Sequence, residues 1–538
     1  MILADGASPL PITDVCIVGA GPVGLALAFK LEELGCTVLV LESGPVDPEI
    51  GATEFLAGNH ARPGAATHHG IGGTSALWGG RCVKLDDLDF EKRDHVANSG
   101  WPIPHSCLSR HYDAALVFLQ ASSAPVPPLA PEGAEDFVMD SAERWSRSPA
   151  LAPVYEPKLA SAASITLVTN AVVSEVVLDK ENKRVYALRL MGRAELLTPG
   201  IVVLAAGGLE TARLLLSLQK NNPDALGGTD GALGRFYQGH LTGYLAVVDL
   251  VDQDVARDLS FASDQQGGLH RRRLQPSQKH QMDEQLLNIV FWLDPISISD
   301  PAHGSGSLSL LYLLLKASGT YRRFSHGLAP RSGPRRQGEA WRHLRNISLR
   351  GASLAKMVRM LRRGWRRGGH GSLINPAARY LLRYHAEQAP NPDSRVQLGH
   401  ADGSTTILQV DYRVEDRDIL SVLRAHHLLD QWLRAKGYGK LEYLRPEDER
   451  FRSVLAQAFD GYHQIGLARM SDHPQSGVVD PDCRVHQIDN LYVAGASVFP
   501  TGGHANPTLP AVALALRLAE HLARVVKQKK DAVVPTVV

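Results

Sequence analysis

Residues 14–24 read Asp-Val-Cys-Ile-Val-Gly-Ala-Gly-Pro-Val-Gly. The first five are a short β-branched run of the kind that forms a buried parallel strand. In the Gly-x-Gly-x-x-Gly pattern that follows, Gly19 permits a tight turn and Gly21 lets the backbone approach a pyrophosphate, while Gly24 lets a helix pack closely on the strand. The stretch therefore predicts a dinucleotide-binding strand–turn–helix unit.

The residues after this turn favour the same interpretation. We expect an apolar helix over 25–34, which ends at Gly35, and a second strand over 37–41 that runs into Glu42. An acid 18 residues after Gly24 is placed to accept hydrogen bonds from a ribose, which favours FAD or NAD over a 2′-phosphorylated nucleotide. An ordinary glycine-rich turn is the alternative interpretation.

A second glycine-rich segment occupies residues 67–81, Thr-His-His-Gly-Ile-Gly-Gly-Thr-Ser-Ala-Leu-Trp-Gly-Gly-Arg. Its glycines exclude a regular element, so we expect its backbone to lie against a flat or anionic group. The interleaved Ile71, Leu77 and Trp78 favour burial and argue against a mobile linker. The adjacent His68 and His69 lack a third ligand nearby and do not predict a metal site.

The C-terminal region offers the candidate chemistry. It contains the run Gly-Tyr-His that ends at His463, a short apolar strand over 490–494, and the turn Thr-Gly-Gly-His-Ala-Asn-Pro-Thr at 501–508 before a long apolar helix. We expect His463 and Asn506 to face a cofactor held by the N-terminal unit. A neutral imidazole is suited to removing a proton near neutral pH. A structural histidine and a helix cap at Asn506 are the alternatives.

Between these ends, three β-rich runs that start at 165 and end at 190 predict a meander. A further buried strand over 200–206 precedes Gly207 and Gly208 and a helix over 210–218. This second strand–Gly–Gly–helix lacks the full glycine pattern, so we expect it to pack beside the first cofactor rather than bind another.

The composition limits the class of protein. A chain of 538 residues with 44% hydrophobic content predicts about two to three domains, and a net charge of +1 gives no overall preference for a polyanion. Five cysteines without a Cys-x-x-Cys spacing predict neither a disulfide framework nor a zinc site. With no secretory leader and no apolar run of about 18 residues, we expect a cytoplasmic protein.

One segment is strongly basic. Residues 322–367 contain 14 lysines and arginines and one acid, a local charge of +13, and their apolar residues recur at helical spacing. This pattern predicts one or two basic amphipathic helices. Such helices form either a solvated cationic face or a peripheral membrane or oligomer contact, while a nucleic-acid partner is disfavoured because recognised motifs and stacking aromatics are lacking.

Five motifs in order resemble the glucose–methanol–choline (GMC) FAD-dependent oxidoreductases. Within that family they look most like the branch of pyranose oxidases, glucoside 3-dehydrogenases and aminoglycoside dehydrogenases. The resemblance leaves 250–380 uncovered. The motifs are GAGPVG at 19–24 with Glu42, GGTSALWGG at 72–80, LAAGGLETARLLL at 204–216, EQAPNPDSRV at 387–396 and the C-terminal block at 461–508.

The resemblance implies an α/β fold in which a discontinuous, Rossmann-like FAD-binding domain is joined to a substrate-binding domain built on an antiparallel sheet with helices. The FAD-binding domain is expected to comprise 12–100, 165–245 and 461–530. The substrate-binding domain is expected to comprise 101–164 and 246–460, including the basic segment.

The resemblance also implies the reaction: oxidation of CH–OH to carbonyl on a sugar, glycoside or amino-sugar natural product, such as an intermediate of aminoglycoside biosynthesis. His463 would be the catalytic base with Asn506 as its partner and His504 in support, and hydride would pass to flavin N5. Oxygen or another acceptor would reoxidise the flavin. The alternatives are an NAD(P)H-dependent flavoprotein monooxygenase or reductase, and a non-catalytic membrane-associated flavoprotein subunit.

The pyranose-oxidase pattern has a flavin-linked histidine in its glycine-rich loop, where this chain has Leu77, so non-covalent FAD is expected. No metal is expected. The residues implied to contact FAD are Gly19, Gly21, Pro22, Val23, Gly24, Glu42, Ser43, Gly73, Thr74, Ser75, Leu77, Trp78, Gly79, Gly80, Val173, Ala206, Gly207, Gly495, Ala496, Asn506, Pro507 and Thr508.

Overall fold

A six-stranded parallel sheet forms around the strand that precedes Gly19. All four residues of that strand are buried, as expected for a parallel strand covered on both faces. In the computed structural model the spatial order is β1 (Ile2–Leu3), β7 (Ile165–Val168), β3 (Val38–Leu41), β2 (Val15–Val18), β11 (Val202–Leu204) and β20 (Leu491–Val493).

The structure describes the chain except for residues 4–8, 45–52, 128, 130–134, 252, 322–337, 351–374, 402–404 and 534–538.

The turn after β2 depends on close packing between two of its glycines. Helix α1 (Pro22–Glu33) begins with proline at its first position, where no backbone N–H is needed. A Cβ atom at Gly24 would lie 2.0 Å from the carbonyl oxygen of Gly19, so a side chain there would push the helix off the strand. The long helix α14 (Thr508–Val533) packs against α1 and carries the C-terminal end of the chain back to the N-terminal unit.

A larger, antiparallel sheet lies beside the parallel one. Alternate residues of its strands, such as Leu382 and Tyr384, form an apolar core with helix α12 (Asp416–Ala435), and the residues between them, such as Arg383 and His385, face the other way. Its strands in spatial order are β19 (Gly439–Tyr443), β12 (His240–Leu250), β16 (Arg379–Glu387), β15 (Ile289–Asp294), β14 (Leu269–Pro276), β6 (Phe137–Trp145) and β5 (Arg81–Cys82), and β13 (Ala262–Ser263) pairs with β14.

Two three-stranded sheets complete the β-structure. One is antiparallel, with β10 (Leu196–Leu197), β9 (Val185–Leu190) and β8 (Val173–Leu178). The other joins β17 (Arg395–Ala401), β18 (Thr405–Asp411) and β4 (Thr53–Ala57). The predicted meander from 165 to 190 is wrong in one respect, because Ile165–Val168 pairs in parallel with Val38–Leu41 instead of with the strand that follows it.

The remaining helices connect and cover the sheets. They are α2 (Pro63–Ala66), α3 (Asp87–Phe90), α4 (Ser106–Ser109), α5 (Tyr112–Phe118), α6 (Ala152–Ser161), α7 (Gly208–Asn221), α8 (Asp254–Asp258), α9 (Gln278–Asp283), α10 (Gly306–Ala317), α11 (Glu339–Arg350) and α13 (Glu447–Gln457). No helix among the described residues is long and apolar enough to cross a membrane. All five cysteines are free thiols. The expected fold class, a GMC-type α/β architecture with several sheets, is confirmed.

The basic segment is described only in part. Helix α11 packs on α10, and His343 is buried between them while Trp341 and Leu344 of the same helix are exposed. The exposed Trp341 and Leu344 belong to the apolar stripe that helical spacing predicts, so this stripe does not form the buried side of α11. The rest of the predicted amphipathic helix, over 351–367, lies outside the described residues.

Candidate functional site

His463 lies between His240, at the start of β12, and Asn506, before α14, and its hydrogen bonds determine which ring nitrogen carries the proton. Its Nδ1 atom is 2.9 Å from Nδ1 of His240 and 3.0 Å from Oδ2 of Asp460. Nε2 of His240 is 3.0 Å from the carbonyl oxygen of Gly503, and a carbonyl only accepts, so this Nε2 carries a proton.

The protonation state of His240 then decides that of His463. Burial lowers the pKa of His240 to about 3, with a smaller contribution from His463. His240 is therefore neutral, and its Nδ1 is a bare acceptor. The proton between the two rings must sit on Nδ1 of His463, where it also faces the Asp460 carboxylate. In the neutral form of His463 this leaves Nε2 as the acceptor nitrogen, as a base requires.

Asp460 anchors this arrangement. Its Oδ1 accepts hydrogen bonds from the backbone N–H groups of the three residues that follow it, including His463, and its Oδ2 accepts from the backbone N–H of His240 at 2.6 Å. Burial opposes ionisation of Asp460, but the hydrogen bonds of His463, and the positive charge of that ring when it is protonated, outweigh it and lower the pKa of the carboxyl. The buried Asp460 carboxylate therefore holds the His463 ring by its Nδ1 atom.

Asn506 meets the other nitrogen of the same ring. Its Nδ2 atom lies 3.0 Å from Nε2 of His463 and donates to it, while its Oδ1 is buried and has no hydrogen-bond partner among the described residues. Asn506 precedes Pro507 and the first turn of α14, so the start of that helix fixes its position. The amide thus offers one donor and one unsatisfied acceptor beside the unprotonated Nε2.

A third histidine stacks on the pair. The ring of His385 lies 4.4 Å from that of His240 and 5.7 Å from that of His463. Burial and the two neighbouring imidazoles lower the pKa of His385 well below its ordinary value, so it is neutral. One nitrogen of each ring lies within 4.8 Å of the others, close enough to share a metal ion. The direct His240–His463 hydrogen bond uses two of these nitrogens, and the expected absence of a metal stays a prediction.

His504, the predicted supporting residue, is fully buried and points to an acid. Its Nε2 lies 3.0 Å from Oδ2 of Asp86, which also accepts from the side chain of Asn288. Burial opposes ionisation of Asp86, yet the His504 charge outweighs it and lowers that pKa. Burial and the Asp86 charge raise the pKa of Asp89 well above its ordinary value, and Asn288 bridges the two acids. His504 thus belongs to a buried polar network with Asp86, Asp89 and Asn288.

The predicted pyrophosphate turn has the space that a cofactor needs. A Cβ atom at Gly21 would meet no protein atom within 4 Å, whereas one at Gly24 would collide with the backbone. A cleft opens at the carboxyl ends of β2 and β3 and is lined by residues that include Gly19, Ser43 and Val173. This is the edge of a parallel sheet where dinucleotides bind.

Glu42 bonds to backbone N–H groups of this chain, a role that the sequence did not predict. Its buried carboxylate accepts backbone N–H bonds from Ala20 at 2.7 Å, Gly44 at 3.0 Å and Gly70 at 2.9 Å. The hydroxyl of Ser43, 3.3 Å from Oε1, is a fourth donor, and among the described residues Oε2 accepts only the bond from Ala20. Because each carboxylate oxygen has about two acceptor positions, Oε2 keeps one for a ribose hydroxyl. Glu42 also fixes the glycine-rich loop against the turn after β2. Its predicted contact with a ribose stays a prediction.

The glycine-rich loop separates its predicted residues into two groups. Ser75 is buried and bonded to the backbone of Gly72 and Leu151, and the indole N–H of Trp78 donates to the carbonyl of Pro149. These two side chains therefore hold the loop in place. Of the other predicted cofactor residues in the loop, Thr74, Leu77 and Gly79 are exposed, whereas Gly73 and Gly80 are buried.

The turns after the other central strands are also partly open. The strands β11 and β20 are completely buried, but Ala206, Gly207, Gly495 and Ala496 after them are not. A Cβ atom at Gly495 would meet nothing within 4 Å. Contacts of FAD with these turns, with the remaining helix-start residues Pro22 and Val23, and with Thr508 stay predictions.

The structure adds residues that sequence reasoning missed. His240, His385 and Asp460 contact the predicted base but received no role from the sequence. Asp460 had a detectable signal, since it stands three residues before His463 in the same motif. His240 and His385 had none, because the pairing of β12 with β16 brings these two residues together and tertiary hydrogen bonds of His240 with Asp460 and His463 complete the group.

Comparisons with known proteins agree with this site. Residues 390–515 match the family described as GMC oxidoreductase, and residues 12–47 match an FAD binding domain. The chain is 25% identical to 6′′′-hydroxyparomomycin C oxidase of Streptomyces lividus over 95% of this chain and 92% of that protein. It is 33% identical to paromamine 6′-oxidase of Streptomyces fradiae, over 25% of this chain and 24% of that protein.

The C-glycoside 3-oxidase of Arthrobacter globiformis is 34% identical over 22% of this chain and 21% of its own. Among solved structures, a fungal aryl-alcohol oxidase has a TM-score of 0.52 at 15% identity, over 95% of this chain and 99% of that one, and so shows the shared fold. The family match lies on the C-terminal block that contains His463 and Asn506, and the FAD-binding match lies on the turn around Gly21. The C-terminal part of the chain is thus similar to the GMC oxidoreductases and its N-terminal part to an FAD binding domain, and the chain is an FAD-dependent alcohol oxidoreductase.

Proposed function

We propose that this enzyme oxidises a hydroxyl group of a sugar, glycoside or amino-sugar natural product to a carbonyl, with His463 as the base. The observation that carries the assignment is the position of Nε2 of His463, 3.0 Å from the Asn506 amide nitrogen, while Nδ1 of the same ring faces Asp460. The three relatives named above are oxidases whose names refer to paromomycin-type compounds or C-glycosides, which supports a carbohydrate-like substrate.

FAD, when bound, accepts the hydride that leaves the substrate carbon. We propose that the open turns at Gly21, Ala206 and Gly495 hold it, and that the start of α14 at Thr508 directs its positive dipole toward the cofactor. Because Leu77 stands where the related pattern has a flavin-linked histidine, we propose that FAD is bound without a covalent link.

In the proposed reaction the substrate hydroxyl donates its hydrogen bond to Nε2 of His463. Asn506 turns its N–H from His463 to the substrate oxygen and so orients the carbon–hydrogen bond. The hydroxyl proton moves to Nε2 as the hydride leaves, and the C–O single bond becomes C=O. The Asp460 carboxylate, 3.0 Å from Nδ1, then stabilises the imidazolium that forms.

The test is anaerobic bleaching of the bound flavin by a panel of simple alcohols, neutral glycosides, sugar acids and amino sugars. We expect at least one carbohydrate class to bleach it rapidly, and readmission of air then shows whether oxygen is the acceptor. Bleaching by NAD(P)H and by no alcohol would overturn the proposal in favour of a reductase or monooxygenase.

The domain division stated from the sequence stays a proposal, as does the expected cytoplasmic location. A peripheral membrane or oligomer contact through 322–367 is a further proposal, supported by the local charge of +13 and by the exposed Trp341 on α11. Flotation with anionic vesicles, and the oligomeric mass in solution, would check it. A chain that neither floats nor associates would contradict it.

A further inference from the structure

Beyond the histidines, the same face of the antiparallel sheet carries an arginine cluster, which we define as Arg81, Arg271, Arg273 and Arg383. Three of these guanidinium groups surround one buried indole: those of Arg81, Arg271 and Arg383 lie 4.7, 5.0 and 5.7 Å from the ring centroid of Trp292. The cluster draws on strands β5, β14 and β16, so only the folded sheet assembles it.

The cluster holds more positive charge than its neighbours neutralise. Among the described residues, the carboxylates within ion-pair distance of these four groups are Glu143 and Asp294. Glu143 takes most of the pairing, with the Nε atoms of Arg271 at 2.6 Å and Arg81 at 3.3 Å. Asp294 comes no nearer than 3.7 Å to any of them. Four cations thus face two carboxylates.

Several donors in the cluster are unsatisfied. The Nε atoms of Arg273 and Arg383 are buried and have no hydrogen-bond partner among the described residues. The Arg273 side chain is only 1% exposed, and burial, with the repulsion of Arg81 and Arg271, lowers its pKa to about 10 despite the attraction of Glu143 and Asp86. Buried cations are costly unless they are paired, so this arrangement calls for a further negative charge.

Two members of the cluster are accessible to a ligand. The side chains of Arg383 and Arg81 are 38% and 26% exposed, whereas those of Arg271 and Arg273 lie behind them at 3% and 1%. The planar guanidinium group binds a carboxylate through two parallel hydrogen bonds. Arg81 and Arg383 are therefore the members that would contact an anion.

The cluster adjoins the proposed base. Arg383 stands two residues before His385 on β16, so both side chains project from one face about 7 Å apart. The Trp292 ring is 6.3 Å from that of His385, which in turn is 5.7 Å from that of His463. His385 is therefore the side chain that connects the arginine cluster with the proposed base.

We propose that the substrate carries a carboxylate, as a uronic acid or its glycoside does, and that Arg81 and Arg383 bind it while His463 receives the proton of a ring hydroxyl. The inference rests on the proposed function and names the substrate class within it. It also disfavours a polycationic amino sugar, which the four guanidinium groups would repel.

The test compares three probes in anaerobic flavin reduction: methyl glucuronide, its neutral methyl ester and methyl glucoside. We expect the carboxylate to reach half-maximal rate at a concentration at least about tenfold lower than either neutral probe, as a charge-assisted bidentate pair predicts. The advantage should shrink as salt is raised. Galacturonide and its ester extend the panel in case the hydroxyl configuration differs.

Arg383→Gln and Arg81→Gln should each abolish most of this preference while the limiting reduction rate and the neutral probes stay nearly unchanged. Arg383→Lys should restore part of it, which a purely structural role would not produce. Arg379→Gln is the matched control, since Arg379 lies on the same strand but pairs with Asp249 at 2.8 Å. Thermal melting of each variant separates unfolding from lost recognition.

The outcomes are distinct. Equal use of charged and neutral probes, or a preference for an amino sugar, would overturn the carboxylate assignment and leave the proposed oxidation intact. Failure of every sugar probe to reduce the flavin would overturn both.

Discussion

Nε2 of His463 lies 3.0 Å from Nδ2 of Asn506, although the two residues are 43 positions apart in the chain. On the opposite side of the ring, Nδ1 faces the Asp460 carboxylate and His240. The imidazole is therefore held between an anion and an amide, with its basic nitrogen on the amide side. This one ring orientation underlies the first two predictions.

Replacement of His463 by alanine should leave FAD bound and slow flavin reduction by roughly 10²–10⁴-fold, because the hydroxyl proton loses its acceptor. Stopped-flow absorbance under anaerobic conditions measures the rate. His473→Ala, in an exposed loop, is the control and should reduce normally. A near-normal rate in His463→Ala would remove this residue from the mechanism.

Asp460→Asn should slow flavin reduction about as much, roughly 10²–10⁴-fold. An amide N–H₂ cannot accept from Nδ1–H of His463 and the backbone N–H of His240 as the carboxylate oxygen does, so the ring loses the tautomer that leaves Nε2 bare. Reduction rates and the ¹⁵N chemical shifts of the His463 ring together check this. Unchanged ring shifts would contradict the assigned role, and the exposed Asp472→Asn serves as control.

Two glycines of the first turn should respond differently to substitution. Gly21→Val places its side chain in open space, so the apoprotein should melt normally while FAD binding weakens by roughly 5–150-fold, the range for an overpacked contact of about 1–3 kcal/mol. Gly24→Ala places a Cβ 2.0 Å from a backbone oxygen and should lower the melting temperature of the apoprotein itself. Flavin fluorescence titration and calorimetry separate the two effects. Normal FAD affinity in Gly21→Val would argue against a cofactor at this turn.

Denaturation in acid or detergent should release all of the FAD, because Leu77 offers no nucleophile to the flavin. The released flavin is measured by absorbance after the protein is removed by filtration. Yellow colour that migrates with the unfolded chain would refute non-covalent binding.

Glu143→Gln should destabilise the protein at neutral pH by about 3–5 kcal/mol, because it leaves buried arginines without their main partner. Burial opposes ionisation of Glu143, but Arg271, Arg81 and Arg273 outweigh it and lower its pKa from 4.5 to about 2. A carboxyl whose pKa is lower in the folded than in the unfolded state stabilises the fold fully above its unfolded-state pKa. This stabilisation is lost as pH falls through its folded-state pKa. The difference between wild type and variant should therefore shrink from pH 4.5 to about 2.

Urea unfolding at several pH values measures this difference. Glu181→Gln, on the surface, should show no such dependence. A pH-independent difference for Glu143→Gln would mean that packing rather than charge explains its effect.

Much of the architecture was predictable because its signals are local. The run before Gly19 and the spacing of three glycines depend on strand burial and turn geometry within eleven residues, and the structure forms them as predicted. The meander prediction failed at Ile165–Val168 because β-propensity describes a strand without naming its neighbour. That strand pairs with Val38–Leu41, far away in the chain.

The residues of the candidate site also fall into two groups: those that lie in local sequence motifs, and those that only the fold brings to the site. His463 and Asn506 lie in motifs that the sequence displays, and Asp460 belongs to the first of them. His240, His385 and Arg383 occupy strands whose alternation predicts a half-buried face but not what that face meets. Their chemistry follows from the pairing of β12 with β16, which no local pattern specifies.

The sequence alone determined that this chain binds a dinucleotide, and it predicted which imidazole and amide its chemistry would use, because backbone turns and motif spacing are short-range properties. The tertiary structure alone decided the tautomer of His463 and the excess positive charge near Trp292. Both depend on distances between side chains that are hundreds of residues apart, and hydrogen bonds and buried charges act only at those distances.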